Sequence, residues 1–256
     1  MLNDLITAVR YAGRQLLTIE GRGNSQGVWI GTQFKASADQ IIDRILQERL
    51  RAISTCYTIV SEEDESSLAN VENEEYFLID PIDGTASYAE GYDGFVVQVA
   101  FVSDGAPCMA VVYQPLKDLL FSASRGQGAW LNGESIRVRG EVDEIILTDN
   151  YPEPRRFAGV VFQKLENPCY LESGSIGLKM CLVAAGRADL FVKDVMCKTW
   201  DVAAGALILS EAGGVASDIR GDPFSYHGNY MVDGIICARS KSLHQRVQEY
   251  VFTAED

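Results

Sequence analysis

The chain has 256 residues with 47% apolar content, enough for a large core or two fused halves. A formal net charge of −14 excludes a broad surface for nucleic-acid polymers or anionic membranes, since either needs a basic face. An acidic protein still accepts phosphates where bound cations invert the local field.

No apolar run approaches the roughly 18 residues of a membrane-spanning helix. Met1-Leu2-Asn3-Asp4-Leu5 lacks the basic start and apolar core of a secretion signal. The six cysteines are scattered without a Cys-x-x-Cys pair, which predicts reduced, mostly buried thiols in a cytoplasmic protein. His227 and His244 have no partners at metal-ligand spacing, so surface or structural roles are expected and zinc is not implied.

In chain order, Leu2, Leu5, Ile6, Val9, Ala12, Leu16 and Leu17 share one face at helical spacing, predicting an amphipathic helix over residues 2–20. Residues 21–27 read as a glycine-rich loop. Ser37 is an expected N-cap for a second helix whose buried stripe is Ile41, Ile42, Ile45, Leu46 and Leu50. A short strand at 57–60 precedes Ser61-Glu62-Glu63 and an acidic run to Glu75 that reads mostly as a solvated loop.

Next comes the apolar run Tyr76-Phe77-Leu78-Ile79, then Asp80-Pro81-Ile82-Asp83-Gly84-Thr85. The run predicts a buried strand that turns out of its sheet at the proline, carrying both carboxylates with it. Two acids so close resist desolvation unless a cation neutralises them, and a hard divalent metal suits oxygen ligands. Gly84 and Thr85 then offer backbone N–H groups, an anion site beside a cation site. Taken alone, the stretch reads equally well as a turn that caps a strand.

Alternating runs at 95–102, 110–113 and 119–122, joined by short turns, predict an antiparallel meander that the glycines of 126–133 continue. A nucleotide-binding role for those glycines is set aside because no helix follows them. A boundary is expected near residue 140. Beyond it come a strand at 145–148, a helix at 153–165, a strand at 169–171, a helix from Gly174-Ser175 to Ala185 and a strand at 188–192. A helix over 199–212, a weaker strand near 214–216, a strand at 235–237 and a helix from Ser240 complete an α/β half. Within it, Trp200-Asp201-Val202-Ala203-Ala204-Gly205 places an acid in the first turn of a helix whose small residues allow close packing.

Ala38-Asp39, Ser61-Glu62-Glu63, the Asp80–Thr85 stretch and Trp200–Gly205, in this order and at these separations, resemble the inositol monophosphatase family of magnesium-dependent, lithium-sensitive phosphatases. The family also includes 3'(2'),5'-bisphosphate nucleotidases. The chain departs from its pattern in two places. Ser61 stands where the family has glycine, and Ala36 stands where it has threonine before Ala-Asp; the family's more distal lysine is absent, with Lys35 the alternative from a shifted position.

The resemblance implies an α+β fold, a layered α/β/α/β/α sandwich of the sugar-phosphatase type. Its N-terminal antiparallel-sheet half is residues 1–140 and its C-terminal α/β half is residues 141–256. It implies two or three Mg2+ ions, with Mn2+ as a substitute and Li+ as an inhibitor. In that arrangement Asp80 bridges two ions, Glu62 holds one, and Asp83 and Asp201 hold the other, with the Ile82 carbonyl contributing. Catalysis falls to Glu62, Thr85 and Asp39, the last two as a relay that orients and deprotonates water; by itself, Asp39 reads as an ordinary acid at a helix N-terminus. Asp83, Gly84, Thr85, Gly174 and Ser175 are the implied substrate contacts, although Ser175 serves equally as a helix cap. Near 193 the alignment forks. Asp194 fits an acid that bonds sugar hydroxyls, whereas Lys193, with Lys179 and Lys198, fits a reader of a second phosphate, ordinary surface lysines being the alternative.

The expected activity is hydrolysis of a small polyol phosphate, with inositol monophosphate first. A 3'(2'),5'-bisphosphate nucleotidase or a sugar-bisphosphate phosphatase is the alternative, and a regulatory binding protein is the non-enzymatic one. The expected partners are a small phosphorylated substrate and a second copy in a homodimer, with no nucleic-acid polymer and no membrane.

Overall fold

The computed structural model describes residues 1–20, 27–30, 33–64, 66–67, 75–228 and 230–252, with backbone alone at 20, 27–30, 33–36 and 252. Most of the predicted 21–27 loop, much of the acidic run to Glu75 and the side chains of Lys35 and Ala36 therefore lie outside the described residues. In α1 (Leu2–Glu20), the helical spacing of Leu5, Val9, Ala12 and Leu16 turns all four into the core. An antiparallel hairpin, β1 (Gly27–Ile30) and β2 (Gln33–Ala36), runs straight into α2 (Ser37–Ile53). The buried stripe of α2 is Ala38, Ile42, Leu46 and Leu50, joined by Asp39 and Asp43. Ile41, expected in that stripe, is 39% exposed because it stands about 100° around the helix from Ile42.

The larger sheet has seven strands in sequence order: β3 (Thr58–Ser61), β4 (Glu75–Asp83), β5 (Val96–Ser103), β6 (Ala106–Gln114), β7 (Leu119–Ser124), β8 (Gly128–Leu131) and β9 (Glu134–Ile136). From β4 onward it is the predicted antiparallel meander, whereas β3 joins in parallel. Both faces are covered. Val97, Val99 and Phe101 of β5 pack toward α1 and α2, and Val96, Ala100 and Val102 pack the opposite way.

The expectation that the chain leaves the sheet at Pro81 is corrected. β4 continues to Asp83, pairing Asp80 with Gln98 and Asp83 with Val96, so three residue steps face two. The extra residue is a bulge, and beyond Ile79 the β3 edge of β4 is unpaired. A proline, with no N–H to give, is tolerated there.

The second sheet contains β10 (Ile145–Asp149), β11 (Pro168–Glu172), β12 (Leu190–Lys198), β13 (Val215–Ser217) and β14 (Met231–Ala238), in the order β11-β10-β12-β14-β13. β10 runs parallel to β11 and β12, while β14 is antiparallel to both its neighbours. On its outer face, α4 (Arg156–Lys164) and α7 (Lys241–Phe252) cover Leu147, Val192 and Ile236. Between the sheets lie α5 (Ile176–Ala184) and α6 (Thr199–Glu211), packed against Val96, Ala110 and Phe121 on one side and Phe191, Val232 and Ile235 on the other.

Layers therefore alternate α/β/α/β/α, the architecture implied by the resemblance. All nine residues of α5 are buried, as expected for a helix with a sheet on each side. The small residues of α6 allow the close approach, since a Cβ on Gly205 would meet Met180 Cβ at 2.8 Å. Beyond α6, the Gly126 and Gly128 N–H groups each donate to the Glu211 carboxylate at 2.8 Å, tying the β7–β8 turn to the end of that helix. His244 is buried against the Ser217 hydroxyl at 2.8 Å, joining α7 to β13, and His227 is exposed. The six cysteines are free; Cys181, Cys197 and Cys237 are buried, whereas Cys56 and Cys169 are exposed. No helix among the described residues is long and apolar enough to cross a membrane.

Candidate metal centre

Asp80 and Asp83 flank the β4 bulge, and Asp201 sits in the first turn of α6. One carboxylate oxygen from each lies within 4.8 Å of the others. Asp80 is 1% and Asp83 7% exposed. Burial pushes the Asp80 carboxyl well above its ordinary range, and the charges of Glu62, Asp83 and Asp201 push it further. Burial also raises Asp83, against the opposing pull of the Gly177 N–H, Lys179 and Lys193. Asp201 is pushed up to about 8 by burial and then by Asp83 and Glu62, although the Lys198 N–H donates to its Oδ2 at 2.7 Å.

Oδ1 of Asp80 is buried without a hydrogen-bond partner. An orphaned carboxylate oxygen among converging acids is a donor set made for a hard divalent cation, and magnesium fits it. Glu62 follows β3 with its N–H bonded to the Ile79 carbonyl at 3.3 Å, and it stands half-buried on the same cleft wall, outside the trio. Ser61, the departure from the family glycine, donates its hydroxyl to Asp43 Oδ1 at 2.5 Å, which fastens the end of β3 to α2 beside Asp39.

The trio forms part of a cleft of about 430 Å³. Gly84, at φ +90° in the left-handed region open to glycine, and Thr85 at the start of α3 (Thr85–Glu90) form another part. The Thr85 hydroxyl is 2.9 Å from the Ile82 carbonyl and 3.5 Å from Asp39 Oδ1. Its single proton serves one acceptor at a time, so the shorter bond is to Ile82. Asp39 is 3% exposed and reaches the cleft from the first turn of α2.

On the C-terminal side, Gly174 packs against Gly94 so closely that a Cβ would lie 2.2 Å from the Gly94 oxygen. Ser175 caps α5 through the Leu178 N–H at 3.2 Å while still lining the cleft, so both readings of this serine have a footing. At the fork near 193 the two side chains take different positions. Lys193 lines the cleft, whereas Asp194 is directed at Arg156, 3.1 Å away, and is not on the cleft wall.

Lys179 is not a surface lysine. It is 1% exposed, and its Nζ donates to Asn150 Oδ1 at 2.8 Å and to the Gly174 carbonyl. Burial, reinforced by the like charge of Lys193, lowers its pKa to about 7. Lys198 also lines the cleft, its Nζ 5.4 Å from the Trp200 ring centre. Sequence reasoning missed Gln98 and Asn150. The signal for Gln98 was present, an amide alone in the apolar run Phe95-Val96-Val97-Gln98-Val99-Ala100.

Comparisons with known proteins agree with this geometry. The family description "Inositol monophosphatase family" matches residues 5–254. The Escherichia coli K12 protein named Nus factor SuhB is 34% identical over 250 residues, spanning 93% of this chain and 90% of its own. The solved IMPase of Thermotoga maritima has a TM-score of 0.83 at 26% identity, covering 98% of this chain and 96% of that one. The extragenic suppressor protein suhB of Bartonella henselae has a TM-score of 0.80 at 27% identity, covering 97% and 96%. With the match running nearly end to end and the acids gathered where the fold's two sheets meet the central helices, this chain belongs to the inositol monophosphatase family.

Proposed function

We propose that the chain is a magnesium-dependent phosphomonoesterase for a small polyol phosphate, with inositol monophosphate as the first substrate. The observation that carries this reading is the trio Asp80, Asp83 and Asp201 with the orphaned Asp80 oxygen in a polar cleft. Those three residues, with Glu62 and the Ile82 carbonyl beside them, hold the magnesium, which when bound neutralises phosphoryl oxygens and makes water more acidic. The Gly84 and Thr85 amides receive the phosphate. Thr85 orients the attacking water and Asp39 takes the proton passed through the hydroxyl, which turns from the Ile82 carbonyl to do so. Gly174 and Ser175 form the wall against the organic part of the substrate.

Lys193 in the cleft, with Asp194 directed elsewhere, favours a second reading: a doubly phosphorylated substrate such as a 3'(2'),5'-bisphosphate nucleotide, whose second phosphate the lysine pairs with. The names of the Nus factor relatives support a non-enzymatic reading, a regulatory binding protein. One experiment separates the three. Purified protein is assayed at equal magnesium on inositol monophosphate, 3'-phosphoadenosine 5'-phosphate and fructose 1,6-bisphosphate. Highest kcat/KM on inositol monophosphate, abolished by a chelator, is the expected result. Preference for the nucleotide overturns the substrate assignment, and no turnover on any of them overturns the enzyme.

A further inference from the structure

Gln98 lies in the middle of β5, 1% exposed, between valines. Its Nε2 is 3.3 Å from Asp80 Oδ2, 3.3 Å from Asp83 Oδ2 and 3.3 Å from the Asp201 carbonyl. Two protons thus face three acceptors, each farther than the roughly 2.9 Å of an ordinary bond. No single bond anchors the amide. It is placed to hold the set of acceptors, drawn from both sides of the β4 bulge and from the first turn of α6.

The other end of the amide is in a poorer position. Oε1 is buried without a partner and points at Gly177, where a Cβ would lie 2.3 Å away. Exchanging the two ends does not relieve this, because an oxygen would then face two carboxylates and a carbonyl. A methionine of similar volume would fill the space without stranding an acceptor, so packing alone does not account for glutamine. The donors toward the acids do.

We propose that Gln98 is a positioning residue for the metal centre. By holding Oδ2 of Asp80 and of Asp83 it keeps those carboxylates turned so that the unpartnered Asp80 Oδ1 and the oxygens of the trio converge on one cation. This role rests on the metal-centre reading above, and it adds a residue that holds the ligands without being one.

The test is calorimetric titration of Mg2+ and Mn2+ into the full chain and two variants, with thermal melting in the presence and absence of Mg2+. Gln98→Met keeps the volume and removes the donors, while Gln98→Asn keeps an amide too short to reach. Loss of an outer partner of metal-bound carboxylates predicts roughly 10–100-fold weaker cation affinity in both, with a smaller Mg2+-dependent gain in Tm. A merely structural glutamine lowers Tm equally with and without Mg2+ and leaves affinity unchanged, and that result overturns the role. Should Gln98→Met fail to fold, Gln98→Asn decides by the same two readings. If the unsubstituted chain takes up neither cation, the metal-centre reading falls and this role falls with it; uptake by the parent with equal affinity in the variants overturns the role of Gln98 alone.

Discussion

The Gly177 N–H donates to Asp83 Oδ2 at 2.6 Å, across 94 positions of sequence. The Ile176 N–H adds a bond to the other oxygen at 3.3 Å, so a carboxylate from the bulge of one sheet sits on the N-terminus of the helix that supports the other. Gly177 makes room for this: a Cβ there would lie 2.3 Å from Gln98 Oε1 and 3.1 Å from Asp83 Oδ2. Gly177→Ala is expected to destabilise the chain by about 1–3 kcal/mol through overpacking, and to weaken magnesium uptake. Urea unfolding combined with calorimetric titration checks both.

Asp80 is the most conflicted acid of the site, raised by burial and by three neighbouring carboxylates. Asp80→Asn removes one charge from that repulsion with little change in shape. Without metal, the variant is expected to melt at or above the parent temperature, yet to lose the magnesium-dependent gain and at least about 10²-fold in kcat/KM. A variant that is less stable in chelator but still hydrolytic would contradict the assignment.

The pH dependence has a definite sign. Asp201 moves from an ordinary 3.8 to about 8 in the folded chain. A folded-state pKa raised above the unfolded value favours folding fully below 3.8 and loses that contribution as pH climbs to about 8. Asp80 and Asp83 are raised too and act in the same direction. Melting in chelator should therefore fall across this interval, and saturating Mg2+ should flatten the fall, because the cation does the neutralising that protons otherwise do. Differential scanning calorimetry from acid to neutral pH measures it.

The Thr85 hydroxyl, 2.9 Å from the Ile82 carbonyl and 3.5 Å from Asp39, is placed to exchange partners. Thr85→Ala should lower kcat by about 10²-fold with little change in KM, while Thr85→Ser retains most activity. Asp39→Asn should resemble the alanine variant. Steady-state kinetics on the preferred phosphate of the panel gives the comparison.

Periodicity exposed elements with one wet and one dry face: the spacing of Leu5, Val9, Ala12 and Leu16 led directly to α1. The meander was legible from apolar runs joined by short turns, although its sheet is covered on both faces. Asp80, Asp83 and Asp201 were recognisable through the joint motif resemblance, because an acid at a strand turn or in a helix first turn has an ordinary structural use when taken alone. Three readings went astray or were missed for a common reason. Pro81 read as the end of a strand, Lys179 read as a phosphate reader or a surface lysine with no sign of its burial, and Gln98 drew no attention; each depends on the folded surroundings, at the bulge, at Asn150 and at the three acids.

The amino-acid order thus placed most helices and strands through local spacing, and its motif resemblance supplied the layered fold and the candidate acids. Only the folded chain decided that Lys193 rather than Asp194 lines the cleft, that Gly177 and Gln98 brace the carboxylates, and that Asp80 keeps an oxygen without a partner. Direction and distance between side chains belong to the packing of two sheets against α5 and α6, and no run of neighbouring residues encodes them.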